Sequence, residues 1–580
     1  MSTDPATISG CRHALSVFAR WRSVLAACVA ASALIAPLSA DAFCGFYAGK
    51  ADASLFNEAS QVVMVRDGNH TVLSMLNDYS GPLSEFALIV PTPTVLKQGQ
   101  VRVAEKTTFE RLDAYSSPRL AEYHDTDPCV MNFSWGQQYF ARTMHAPSAA
   151  GAVRSELAKS KDSALGVTVE AQYTLEEYDI VSLSATQSDG LETWLRENGY
   201  TIPRGASAAL KPYINMGMKF FVAKVNLKEQ LKLGYSTLRP LQFAFESEKF
   251  MLPMRLGMLN APPNKPQDLI IYLLTKNGRV ESSNYRTVKL AANENIPPFM
   301  KPKFKEFYKA LYDTSTARED YKAVFTEYFW DMGWCDPCAA NPLTVTELRK
   351  SGVFWVGGDE AQNFGMQIAP GATSAAPKLA PPAARPIMPP GGGGAQPVLL
   401  TRLHVRYTAN TFPEDLMFTQ TKDKQNFQTR YVIQNPYAST VAACSEKTAN
   451  ADCQLMCRDR VNEVEEMLKQ GQSNNYPAAK EYANKSPAEL RGDCARSCSD
   501  SKRGALAAAS KYYERDVPER LAREKQTLAK LTGWSMAEID RMGGSASVTP
   551  PPGAGDVQVP DTRTWWQKLF GVASARRVTG

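Results

Sequence analysis

Cys453, Cys457, Cys494 and Cys498 form two pairs at i,i+4 spacing, and thiols so placed suit two chemistries. Four thiolates drawn to one point make a closed tetrahedral zinc site. Alternatively, each pair occupies one face of a helix, and two such helices packed antiparallel match Cys453 to Cys498 and Cys457 to Cys494 as disulfides. The chain opens with an export leader, and exported proteins meet an oxidising environment, so the disulfides are favoured over the metal. Closing the loop between residues 457 and 494 is worth roughly 4 kcal/mol in the loop-entropy model.

A second thiol pair lies in Trp334-Cys335-Asp336-Pro337-Cys338, which resembles the active-site pentapeptide of thioredoxins. In that family the first cysteine opens a helix, whose N-terminus lowers the thiol pKa and makes it a nucleophile. Residues 323–330, Ala-Val-Phe-Thr-Glu-Tyr-Phe-Trp, read as the strand that should precede it. The downstream context departs from the pattern. Asn341-Pro342 interrupts a helix, and Thr344 to Glu347 form a fresh capping box that starts one later. A local structural disulfide between Cys335 and Cys338 is therefore the expectation, with thiol–disulfide exchange as the alternative function.

The leader consists of Arg12, His13, Arg20 and Arg22 ahead of an apolar stretch, residues 24–38, and then Ala40-Asp41-Ala42 as a peptidase site. Residues 1–42 are expected to be removed, which places the protein in the periplasm or outside the cell. Cys44 is a poor lipid anchor, because the bulky Phe43 precedes it. Of the eleven cysteines, Cys11 and Cys28 leave with the leader, and an odd number remains. The partition is completed by Cys44 with Cys129 and Cys335 with Cys338, leaving Cys444. That thiol is free, links two chains, or takes Cys335 or Cys338 as its partner.

Other reaction chemistry finds little support. His70, His124, His145 and His404 lie outside any His-Glu-x-x-His arrangement, and the chain has neither a Gly-x-Ser-x-Gly elbow nor a phosphate-cradling loop. His404 alternates with apolar neighbours on an expected strand and reads as structural. Asp125 and Asp127 beside Cys129 fall short of the six to eight oxygens that calcium takes. No cofactor and no metal is expected. The formal net charge is +6 over 580 residues, with no long basic run among aromatics, which argues against nucleic acid.

The elements that must hold these residues fall into two kinds. Residues 43–367 are dominated by strand signals at 62–65, 71–75, 86–90, 219–225, 240–245, 251–256 and 269–275, with Asp67-Gly68 as a hairpin turn and helices at 191–198 and 303–312. Residues 368–398, rich in Pro, Gly and Ala, read as a disordered insertion. Strands resume over 399–437, so one β domain is interrupted by the insertion. Residues 438–542 are helical, with a Ser486-Pro487-Ala488-Glu489 start signal on the second cysteine helix. Residues 543–580 form a flexible linker and an amphipathic tail, in which Trp565, Trp566 and Phe570 among basic residues suit peripheral contact with an anionic lipid surface.

Seven ordered blocks add a resemblance. Phe43-Cys-Gly-Phe-Tyr47, Asp113-Ala-Tyr-Ser-Ser-Pro-Arg-Leu120, Asp127-Pro-Cys129, Gly190-Leu-Glu-Thr-Trp-Leu-Arg-Glu-Asn-Gly199, Phe220-Phe-Val-Ala-Lys-Val225, Pro253-Met-Arg-Leu-Gly257 and Leu403-His-Val-Arg-Tyr407 together resemble the bacterial family DUF2330, a domain of unknown function, over residues 43–437. The resemblance implies an exported bacterial protein and supplies no catalytic residues. The expected fold class is α+β, with a β-rich, sandwich-like N-terminal region followed by a disulfide-stapled α-helical hairpin module. The expected function is non-catalytic binding or scaffolding, with a protein or envelope component as partner.

Overall fold

A computed structural model describes residues 46–49, 56–80, 86–131, 167–198, 205–226, 228–229, 238–260, 266–333, 341–357, 397–469 and 484–544. Two sheets face one another across the main core. The smaller is antiparallel, in the order β1 (Phe46–Gly49), β4 (Phe86–Thr92), β9 (Lys219–Val225), β8 (Tyr178–Ala185), β7 (Val167–Leu175). The larger runs β14 (Arg286–Lys289), β16 (Ala323–Asp331), β17 (Leu399–Tyr407), β12 (Gln267–Thr275), β2 (Phe56–Asp67), β3 (His70–Ser80), β10 (Leu241–Glu246), β5 (Val101–Val103), with β19 (Phe427–Gln428) also paired to β16. Two small sheets complete the set: β11 (Met251–Leu252), β18 (Leu416–Gln420), β13 (Val280–Ser282), and β15 (Glu294–Asn295), β20 (Arg430–Asn435), β6 (Arg119–His124).

Side-chain alternation on the strands builds the layers. Leu88, Phe221 and Ala223 of the smaller sheet share one core with Val62, Leu73, Phe243, Leu269, Ile271 and Leu403 of the larger one. The outer face of the smaller sheet is covered by α2 (Ser188–Glu197) and α3 (Ala206–Asn215) through Leu191, Leu195, Leu210 and Tyr213. On the outer face of the larger sheet lie α1 (Lys106–Ser116) and α5 (Val345–Lys350), with Phe109, Leu112 and Leu348 inward. The result is helix, sheet, sheet, helix. Central strands are thus covered on both faces, which is why β12 is buried at every position and reads as an apolar run from Leu269 to Leu274.

The structure moves several expected boundaries. In the β2–β3 hairpin Asp67 pairs with His70, so the two loop residues are Gly68 and Asn69, with Gly68 in the left-handed region at φ +56°. β4 continues through Pro91 to Thr92 against β9, past the expected end at Val90. The expected strand 251–256 stops at Leu252. Pro253 follows, and Arg255–Asn260 is a 3-10 helix. The expected helix 303–312 runs on as α4 (Phe304–Arg318).

Past β20 the chain is helical: α6 (Val441–Ala449), α7 (Cys453–Lys469), α8 (Pro487–Lys511), a π-turn (Tyr512–Asp516), α9 (Val517–Thr532) and α10 (Met536–Gly543). Ser486 and Ser535 each form the reciprocal capping box with the glutamate three residues on. Helix α6 falls inside the stretch 438–542 expected to be helical. Disulfides Cys453–Cys498 and Cys457–Cys494 join α7 to α8. Among the described side chains, Val461, Leu490 and Met456 pack with these sulfurs, so the disulfides are part of the hairpin's core. Helices α9 and α10 pack Leu528, Leu531 and Ile539 against Phe307 and Leu311 of α4 and Tyr431 and Ile433 of β20.

Candidate functional site

The chemistry-bearing side chains that converge in this molecule lie between the larger sheet and helices α1 and α4. β17 puts Leu403 and Val405 into the sandwich, and alternation sends Arg402, His404 and Arg406 to the helix side. Cross-strand register on β12 places Tyr272 opposite Arg402, Ile270 opposite His404 and Asp268 opposite Arg406. On the other flank, β16 slips register between Thr326 and Tyr328. Glu327 is the extra residue of that bulge, and it points its carboxylate at β17 instead of continuing the apolar face. Its carbonyl accepts from the Thr429 N–H at 2.9 Å and the Thr429 hydroxyl at 2.6 Å, which pins the bulge.

Arg402 is the hub. Its Nε donates to Glu327 Oε2 at 2.6 Å and its Nη1 to Asp113 Oδ1, on α1, at 2.7 Å. Tyr272 donates to the same Asp113 oxygen at 3.1 Å. His404 sets Nδ1 2.7 Å from Glu327 Oε1 and Nε2 3.3 Å from Asp268 Oδ1. Arg406 clamps Asp268 with two parallel bonds, Nε to Oδ1 at 2.9 Å and Nη2 to Oδ2 at 2.8 Å, and reaches Asp313 of α4 at the rim. Tyr308 of α4 donates to Glu327.

Arg402, His404 and Glu327 are fully buried and Asp113 is 1% exposed. Burial disfavours charge, so the protonation states are set by the pairing that offsets it. Burial alone would raise the Glu327 carboxyl, but His404 and Arg402 outweigh it and hold it down at about 2. Asp268 is likewise pushed up by burial and pulled well below the carboxylate range by Arg406 and His404. Burial works against the His404 imidazolium, yet Glu327 and Asp268 raise its pKa above the ordinary value. Burial and Glu327 drive the Tyr308 phenol far up, so it stays a donor. Arg402, Arg406 and a protonated His404 thus balance Asp113, Glu327 and Asp268, and the cluster is closest to neutral when His404 carries its proton.

Such an arrangement can clamp two helices to a sheet. It is poorly built for turnover, since the carboxylates and the imidazole that would react are already engaged by neighbours and sealed from solvent. Among the described residues no group of three or more His, Cys, Asp or Glu is arranged to hold a metal ion.

The residues singled out in the sequence lie elsewhere. Cys453, Cys457, Cys494 and Cys498 form the two helical-hairpin disulfides. The expected Cys44–Cys129 bond is corrected: Cys129 bonds Cys444, with the Cα atoms 5.6 Å apart. The reason is a parallel pairing of β6 with β20 that sets His124 beside Asn435. Both segments then leave the sheet at the same end and carry Cys129 and Cys444 to one spot. Cys44, Cys335 and Cys338 lie outside the described residues, as do the insertion at 368–396 and the tail with Trp565, Trp566 and Phe570. Asp125 accepts from Tyr512, Gln434 and Arg520, and Asp127 from Lys447 and the Cys129 N–H, so both carboxylates serve the joint between family domain and helical module.

Sequence reasoning missed Asp113, Asp268, Glu327, Arg402 and Arg406. The available signal was three basic residues at alternate positions in the otherwise apolar β17, a pattern that calls for acidic partners on the covered face.

An α+β sandwich with a disulfide-stapled helical appendage is the class this architecture defines. The profile of a bacterial family, described as an uncharacterized protein conserved in bacteria (DUF2330), matches residues 38–419, and the chain belongs to that family. The match spans both large sheets apart from β19, and every member of the buried cluster. It ends before β20 and the helical module. No curated protein and no solved structure matches the chain.

Proposed function

We propose that this chain is an exported, non-catalytic binding or scaffolding protein of the bacterial periplasm or cell envelope. The observation that carries the reading is the sealed charge cluster. Where a buried histidine, carboxylates and guanidinium groups converge in the described part of the family domain, they are spent on joining α1 and α4 to the sheet, with no reacting atom open to a substrate. Export is supported by the three disulfides, which form and persist in oxidising compartments, and by the leader in the sequence. No helix among the described residues is long and apolar enough to cross a membrane. The partner is a protein or envelope component that reads the surface of this rigid frame.

Fractionation of the bacterium, with thiols trapped before lysis, tests the reading. Recovery from the periplasmic or envelope fraction with the three bonds formed is the expected result, and recovery from the cytoplasm with reduced thiols would overturn it.

A further inference from the structure

Helix α9 buries one stripe, Val517, Glu524, Leu528 and Leu531, at spacings of seven, four and three. Leu528 and Leu531 join the core beneath and Val517 is buried as well, whereas Glu524 is a carboxylate at 2% exposure. Both of its oxygens lack a hydrogen-bond partner among the described residues, and so does Arg520 Nε, which faces it at 3.8 Å, too far for a hydrogen bond. Arg520 is committed elsewhere. It donates Nη1 to Asp125 Oδ1 at 3.2 Å and Nη2 to Asp125 Oδ2 at 2.7 Å, in the joint that Tyr512 and Gln434 also bind. An acid therefore sits in the seam between the helical module and the family domain, beside a cation that another carboxylate already holds.

We propose that Glu524 is a proton-operated latch: protonated, it lets α9 and α10 seat on α4 and β20, and ionised, it loosens them. The charged groups acting on it are Arg520 and Arg523 of its own helix and Asp125 beyond β6. Burial raises its carboxyl, Arg520 opposes, Asp125 adds to the rise, and the balance stands at about 7. Helix α9 also packs on α4, the π-turn, α10 and β15, whose paired charges find their partners away from Glu524, while Lys305 and Glu306 of α4 are exposed. On α4, Asp313 pairs with Lys309 and Arg406, and Arg318 donates to the Lys530 carbonyl. In the π-turn Glu514 accepts from Ser510 and Asp516 pairs with Arg515 and Lys511. On α10 Glu538 caps through Ser535 and Asp540 pairs with Lys525, while Glu294 of β15 is exposed.

The sign follows from a raised acid. The docked state holds the proton more tightly than the undocked one, so seating is firmest below the ordinary carboxylate range and weakens as pH rises through about 7. Opening uncovers the apolar surface of Phe307, Leu311 and Tyr431, while Cys129–Cys444 keeps the module attached. The latch is thereby reversible, and its open form presents a new apolar face.

Hydrogen–deuterium exchange of the full oxidised chain, corrected for intrinsic rates, reads the latch through α9 amides. Between pH 5 and pH 8.5 the opening equilibrium of the wild type is expected to rise on the order of fifty-fold. Glu524→Gln should stay flat at the wild-type pH 5 level, and Glu524→Leu, which extends the apolar stripe, should do the same. A flat wild-type profile, an unchanged pH dependence in both variants, or β12 amides opening in step with α9 would each overturn the proposal.

Discussion

The ring of His404 lies on the ring of Tyr312, with centroids 3.7 Å apart and planes within 6°. An aromatic face favours a cation above it, and Glu327 and Asp268 hold the two ring nitrogens. A charged imidazole is thus kept in a dry interior by three neighbours from three elements.

That arrangement gives a pH profile. The pKa of His404 is raised in the folded state, so its contribution is complete below its unfolded value, about 6.5, and is lost as pH rises through the folded value. Glu327 and Asp268 are depressed, so theirs is present above the ordinary carboxylate range and is lost as pH falls toward 2. Urea unfolding of the sandwich should show its highest midpoint between about pH 5 and 7, declining on both sides. A midpoint still rising at about pH 9 would contradict the charged imidazole.

Arg402→Met should be among the most damaging single changes in the sandwich. It leaves Asp113 buried without its cation and Glu327 with His404 alone, at a cost of about 3–5 kcal/mol in chemical denaturation. By contrast Lys301→Ala, which breaks the exposed pair with Glu122 at 2.8 Å, should change stability by less than about 1 kcal/mol. Equal effects would remove the case for the buried hub.

The sulfurs of the helical hairpin pack among Val461, Leu490 and Met456 and staple its two helices together. Replacing Cys457 and Cys494 together by Ser should cost about 2–4 kcal/mol locally and make α7 and the start of α8 easier to cleave by protease, while the sandwich stays intact. Peptide mapping of the untreated protein should recover Cys129 linked to Cys444.

Much of this architecture was readable in advance, and the exceptions share a cause. The apolar run of β12, the resumption at β17, and the serine caps of α8 and α10 are local patterns, and the i,i+4 cysteines fix a helix pair through spacing alone. The buried hub is not local: Arg402 meets Asp113 across 289 positions and Glu327 across 75. Glu327 faces inward because of a one-residue bulge that has no composition signature. The Cys129–Cys444 bond likewise follows from a parallel strand pairing between segments far apart in the chain, and the two sulfurs themselves are separated by 315 positions, so elimination among cysteines chose the wrong partner.

Whether this chain holds structures together or turns over thiols is decided by the Cys335 and Cys338 pair. Thr344 caps the helix that begins at Val345, after Cys338 in the sequence, as the capping-box signal led one to expect. The direct measurement is a redox titration of the intact protein with mass-spectrometric mapping of that bond, beside an insulin-reduction assay of wild type and Cys335→Ser. A bond that resists reduction far below the glutathione potential, with no reductase turnover in either protein, is the expected result. A readily reduced bond with turnover that Cys335→Ser abolishes would contradict a non-catalytic role.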